Sequence, residues 1–212
     1  MSADNRWMST RVLRRLGVFG GTFDPIHVGH LVAASEVLHS FELDGVLFVP
    51  AGRPWQKTAY SDPEDRHMMT VLATSSHPGF STSRVEIDRP GPTYTVDTLR
   101  RIHEFHGPDV QLFFILGADA LANLGTWQEI EVLGDLCEIV AVTRPGSALG
   151  VPLDPSWPLV HRFETPGVDI SASEIRARVA TGRPIDWLVT DEVADYIRTH
   201  HLYLDVGASR GA

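Results

Sequence analysis

Cysteine is nearly absent from this chain. Cys137 is the only one in 212 residues, which excludes a disulfide within the chain and fits a reducing cytoplasm. Long apolar runs are missing: none approaches the roughly 20 residues that a membrane-spanning helix needs. Positive charge is scarce. The chain sets 18 Lys and Arg against 27 Asp and Glu, a formal net charge of −9, which argues against broad electrostatic binding to nucleic acid. Any anion site must therefore be local, built from a few placed cations and backbone dipoles. Repeats and low-complexity segments are lacking, and residues 1–14 have no apolar core like that of a signal peptide.

What is there reads as one globular unit, with enough chain to bury a sizeable core. Apolar runs alternate with helical patterns, which predicts βαβ units and a parallel sheet. Strands are expected at 16–19, 46–50, 80–87, 112–116, 138–142 and 159–163. Helices are expected at 27–38, from Asp62 onward, at 94–105, 171–180 and 190–200. Val28, Leu31, Ser35 and Leu38 share one face of the first helix. Met68, Val71 and Leu72 mark the expected buried face of the second, and Val96, Leu99 and Ile102 that of the third. A single domain is expected over 15–204, between a flexible extension at 1–14 and a flexible tail at 205–212.

The most telling segment is Gly20-Gly21-Thr22-Phe23-Asp24-Pro25-Ile26-His27-Val28-Gly29-His30. Gly20 and Gly21 follow an apolar strand. They permit backbone angles closed to other residues and let a ligand approach the main chain. Asp24-Pro25 is turn chemistry. A helix then begins, and its free N–H groups and positive dipole end favour an anion. His27 and His30, at i and i+3, lie on one side of that first turn. Imidazole N–H groups donate to phosphate oxygens, and protonation would strengthen the grip. The bland alternative is a pair of packing or capping histidines. Zinc is disfavoured, because His-x-x-His supplies two ligands and Cys137 offers no obvious completion.

A second segment, Ile170-Ser171-Ala172-Ser173-Glu174-Ile175-Arg176, repeats the physics. Ser171 and Glu174 form a capping-box pattern, so a helix starts here. Ser173 adds a hydroxyl on the first turn, and the Arg176 fork lies one turn further on, where it can reach a phosphate. Alone, this reads as a well-capped surface helix with a solvated arginine. Paired with the histidine motif, it reads as a second helix start facing one triphosphate.

Together the two motifs resemble the H-x-G-H nucleotidyltransferase superfamily, and within it the bacterial nicotinate-nucleotide adenylyltransferases. Pro50 to Lys57 is similar to that family's V-P-x-x-x-P-x-x-K stretch, and Thr93 to Leu99 to its S-Y-T-x-D-T-L. Gly117-Ala118-Asp119-Ala120-Leu121, followed by Trp127, is similar to its G-x-D…W segment, and Arg144-Pro145-Gly146 follows. The likeness runs from about Leu16 to Tyr203. Ala172 departs from the family's Ile-Ser-Ser-Thr and removes one hydroxyl, while Ser173 keeps another.

The resemblance implies a Rossmann-like, doubly wound α/β fold: a mostly parallel sheet of five to six strands with flanking helices and a small C-terminal helical part. It implies adenylyl transfer from ATP to nicotinate mononucleotide in NAD biosynthesis, in the cytoplasm, with no nucleic-acid or membrane partner. Oligomeric state is left open. His27, His30, Lys57 and Arg176 are the expected catalytic residues. Gly20, Gly21, Thr22, Phe23, His27, His30, Asp119, Ile170, Ser171, Ser173 and Arg176 are expected to bind ATP. Thr22, Lys57, Tyr94, Thr95 and Trp127 are expected to receive nicotinate mononucleotide. Mg2+ is expected to bridge the substrates' phosphates, with no protein ligand assigned. Other adenylyl- or cytidylyltransferases, such as the phosphopantetheine enzyme, lack the Tyr94-Thr95…Asp119…Trp127 set. A class I aminoacyl-tRNA synthetase would need a longer chain and a K-M-S-K-S loop. A nucleotide sensor without turnover is disfavoured by the retained histidines, Lys57 and Arg176.

Overall fold

Strands and helices alternate along almost the whole chain: β1 (Arg15–Gly21), α1 (Val28–Ser40), β2 (Gly45–Pro50), α2 (Pro63–Thr74), β3 (Phe80–Thr82) and α3 (Thr95–His106). Then come β4 (Gln111–Gly117), α4 (Ala118–Ala122), α5 (Ile130–Leu136), β5 (Glu138–Thr143), β6 (Val160–Glu164), α6 (Ala172–Ala180) and α7 (Asp191–Thr199). The computed structural model describes residues 13–54, 59–143, 154–155 and 157–205. Lys57, Arg144-Pro145-Gly146, the stretch 1–12 of the expected extension and 206–212 of the expected tail lie outside the described residues.

The six strands form one sheet in the order β3-β2-β1-β4-β5-β6, and every pair is parallel. The chain winds outward from β1 to β3, then returns to the other side of β1 as β4. That reversal opens a crevice beyond the C-terminal ends of β1 and β4, where open α/β sheets take ligands. Strand side chains alternate between the two faces. Leu16 and Val18 of β1 join Leu112, Phe114, Leu99 and Ile102 in one core, while Phe19 joins Phe113, Ala34, Val37, Phe48 and Met69 in the other. Fully burying side chains such as Leu99 and Ile102 contributes roughly 1.5–3 kcal/mol each before chain entropy is counted.

Three local expectations are corrected. In α2 the buried residues are Arg66, His67, Met69, Thr70, Ala73 and Thr74, whereas Met68 and Val71 are exposed. The inner stripe mixes Met69 and Ala73 with Arg66, His67, Thr70 and Thr74, and Leu72 packs against the core, so hydrophobicity alone does not pick out the face. In α1 Val28, Leu31 and Leu38 pack against the core as expected, beside the more deeply buried Ala33, Ala34 and Val37, whereas Ser35 faces solvent. β3 stops at Thr82, and residues 85–88 form a turn instead of continuing the strand to 87. At the edge of the expected extension, Arg14 is already tied to the sheet. Its N–H donates to Asp44 Oδ2 at 2.8 Å, and its carbonyl accepts from the Gln111 N–H at 2.8 Å.

Candidate active site

The crevice is a cleft of about 830 Å3. Gly20, Gly21, Thr22, Phe23, His27, His30, Tyr94, Thr95, Asp119, Trp127, Ile170, Ser171, Ser173 and Arg176 all line it. The two helix starts read from the sequence therefore face one cavity, although some 150 residues separate them. Of the expected site residues, Lys57 alone lies outside the described residues.

Gly20 and Gly21 lie within β1, and neither has a positive φ. Their conformational freedom is not what the fold uses. A Cβ on Gly20 would stand 2.7 Å from the Phe114 ring, and one on Gly21 would stand 2.8 Å from the Phe23 ring. The glycines supply room. The left-handed residue of the turn is Phe23 (φ 50°), a conformation that costs a non-glycine residue about 1–2 kcal/mol. Its buried ring packs edge-on against Phe19 and His30, which holds the turn.

His27 is the residue before α1, and its N–H donates to His30 Nδ1 at 3.2 Å. That acceptor role leaves Nε2 as the N–H donor of the His30 ring. The two imidazoles stack with centroids 3.7 Å apart and planes inclined by 23°.

At the other helix start, Ser171 Oγ accepts the Glu174 N–H at 3.2 Å, as its spacing predicts. The reciprocal half of the capping box is replaced: the Glu174 carboxylate takes Arg178 Nε at 3.0 Å. Ser171 and Ser173 hydroxyls lie 3.0 Å apart. Arg176 Nη1 donates to the Asp24 carbonyl at 2.5 Å, and its guanidinium lies 4.2 Å over the Tyr60 ring. The back helix is thus bonded directly to the front loop.

Asp119 follows β4 on the first turn of α4 and is exposed. Tyr94 precedes α3, with its carbonyl accepting the Asp97 and Thr98 N–H groups at 3.1 Å. Thr95 opens that helix. Trp127 stands edge-on to Phe114 at 5.7 Å and is half-buried, so it is neither a pure core residue nor a free surface one.

Sequence reasoning missed a buried scaffold beneath the front loop. Arg66 is 1% exposed and donates to three loop carbonyls: Thr22 at 2.9 Å, Ala51 at 2.5 Å and Gly52 at 3.1 Å, with Ser61 at 3.4 Å as a weaker fourth. Burial pushes its pKa down, and the Asp24 carboxylate opposes that shift. Asp24, itself buried, accepts the Tyr60 N–H at 2.6 Å, the Ser61 hydroxyl at 2.5 Å and the Tyr203 hydroxyl at 2.7 Å. Burial, with Asp24 beside it, also pushes the Tyr203 pKa up. The one available signal was Arg66 at i, i+3 and i+7 from Met69 and Ala73, a stripe that a charged residue disguises.

Fold and cleft together define a class: an open, doubly wound α/β protein with a ligand crevice at its switch point. Residues 18–178 match the cytidylyltransferase-like family. A probable nicotinate-nucleotide adenylyltransferase of Leifsonia xyli subsp. xyli is 54% identical over 192 residues, covering 91% of this chain and 95% of the relative. Another from Streptomyces coelicolor is 55% identical over 188 residues, covering 87% and 98%. Among solved structures, Plasmodium falciparum nicotinic acid mononucleotide adenylyltransferase complexed with NaAD is similar in fold (TM-score 0.73, 21% identity, 90% of this chain and 97% of that one). The chain belongs to the cytidylyltransferase-like family and, within it, to the nicotinate-nucleotide adenylyltransferases.

Proposed function

We propose that the chain transfers the adenylyl group of ATP to nicotinate mononucleotide, giving nicotinate adenine dinucleotide and pyrophosphate. An oxygen of the mononucleotide's 5′-phosphate attacks the α-phosphorus of ATP in line. The bond from that phosphorus to the bridging oxygen breaks, and pyrophosphate leaves. Such a reaction depends on positioning and on neutralising phosphate charge, and it needs no protein nucleophile.

His30 donates from Nε2 to the phosphates, and His27 stacks on it and holds its ring. Main-chain groups from Gly20 to Phe23 meet the triphosphate closely. Ser171, Ser173 and Arg176 take the departing phosphates, beside Ile170, at a helix start that favours anions. Lys57 serves the phosphates of either substrate, an assignment that rests on motif likeness. Asp119 accepts a ribose hydroxyl of ATP. Thr22, Tyr94, Thr95 and Trp127 receive the acceptor nucleotide, with the indole beside the pyridine ring and the α3 N–H groups near its carboxylate. Among the described residues no group of three or more His, Cys, Asp or Glu side chains could hold a metal ion. The cleft offers chiefly N–H and O–H donors, which fits a Mg2+ ion bound through phosphate oxygens and water. When bound, that ion would supply further neutralisation of phosphate charge. Residues 15–204 form the catalytic unit in this reading, acting in the cytoplasm. Among the described residues no helix is long and apolar enough to cross a membrane.

The observation that carries this reading is the convergence of His27 and His30 with Ser171, Ser173 and Arg176 on one cleft. The test is pyrophosphate release from ATP and Mg2+ with nicotinate or nicotinamide mononucleotide. Release with the nicotinate compound, faster than with the amide, is expected. No release with either overturns the proposal.

A further inference from the structure

The proposed function assigns no role to Glu86, although its side chain lines the cleft beside Thr93, Tyr94 and Thr95. It arrives there because β3 ends at Thr82 and the chain turns at 85–88. The turn is fixed from outside by Arg84, whose guanidinium bonds Glu64 at 2.7 Å and Asp88 at 2.8 Å. It is closed by the Asp88 N–H to the Arg84 carbonyl at 2.9 Å.

Burying a carboxylate is unfavourable unless donors compensate. Glu86 has three, and they come from two walls of the cleft. The Thr98 hydroxyl donates to Oε1 at 2.7 Å, and the Thr93 hydroxyl bonds the same carboxyl; both belong to the entrance and first turn of α3. The Gly52 N–H comes from the loop after β2, which also carries Ala51 and Pro54 along the cleft. Gly52 passes so close that a Cβ there would sit 2.1 Å from the Glu86 carbonyl oxygen. Burial pushes the Glu86 pKa up, while the three donors and nearby Arg89 act against that shift. Arg89 in turn is bonded to Asp97 of α3 at 2.7 Å.

We propose that Glu86 is a positioning residue for the acceptor nucleotide: it clamps the loop at Gly52 to the start of α3 and so sets the span between the two walls that receive it. This rests on the reading of Tyr94 and Thr95 as the acceptor end. The clamp acts directly through the N–H groups and side chains at 93–95, and meets the front loop only at one remove, through Arg66, which donates to Gly52 and Thr22 alike. A loss confined to one substrate follows.

The test is steady-state pyrophosphate release with each substrate varied in turn. Glu86→Ala should raise the KM for nicotinate mononucleotide about tenfold and leave the KM for ATP within about twofold. Glu86→Gln, which still accepts from Thr98 and Gly52, should recover to within about threefold of wild type. Thr98→Val removes one donor at nearly constant volume, and should raise the same KM about threefold. It decides the matter if Glu86→Ala does not fold. An unchanged nicotinate-mononucleotide KM in Glu86→Ala or Thr98→Val, parallel rises in both KM values, or a Gln variant no better than Ala would each overturn the clamp. Wild-type protein that releases no pyrophosphate would instead overturn the functional reading beneath it.

Discussion

The first turns of α1 and α6 meet the same electrostatic demand with different chemistry. Each turns a helix start and the positive end of its dipole toward the cleft. At α6 the solution is general: Ser171 caps the Glu174 N–H, and hydroxyls and Arg176 stand in reach. At α1 no hydroxyl caps the helix, and two stacked imidazoles occupy the place. A capped helix start is common and local. A stacked pair needs a loop held rigidly in a strained turn, and that rigidity comes from below, through Arg66 and Asp24. The two halves therefore differ in what they require from the rest of the chain. The front site depends on a buried network, and the back site on its own helix cap and on the bond from Arg176 to the Asp24 carbonyl.

The largest effect should come from removing the support of the front site. Arg66→Met leaves three carbonyls without a donor and Asp24 without its buried counter-charge, and should lower stability by about 3 kcal/mol. Urea unfolding measures it, and a loss under about 1 kcal/mol would show that the loop holds itself. His30→Ala should reduce kcat by about 100-fold, near 2.7 kcal/mol, and cost about 1 kcal/mol of stability for the lost helix-start bond and ring contacts. Near-normal turnover would remove the imidazole from the reaction. Arg176→Ala should raise the KM for ATP about tenfold and spare that for nicotinate mononucleotide. Equal rises for both substrates would mean that its bond to Asp24 matters more than its reach to phosphate. Ser171→Ala should be mildest, costing about 1 kcal/mol of stability and about threefold in ATP KM. A larger loss than at Arg176 would invert the comparison.

Much of this architecture was legible along the chain, because it is written in local physics. The alternating apolar runs foretold a parallel sheet, and six strands form one. Val96, Leu99 and Ile102 fall on the buried face of α3 as their spacing requires. The two helix starts were legible because turn chemistry and caps act within a few residues. What escaped acts across the fold. Arg66 was hidden because a charged residue on an inner face reads as solvent-facing until three carbonyls are seen to gather round it. Glu86 was hidden inside an expected strand, where its side chain would simply alternate with its neighbours. Tyr203 stands far from Asp24 in sequence, so no local pattern joins them. Gly20 and Gly21 were noticed for freedom of φ, whereas their neighbours Phe114 and Phe23 explain them by space.

A crystal structure with a non-hydrolysable ATP analogue would test the convergence of the two helix starts most directly. His30 Nε2 and Arg176 should both lie within about 3.3 Å of oxygens of the same triphosphate. A triphosphate that touches only one of the two helix starts, with the other facing water, would contradict it.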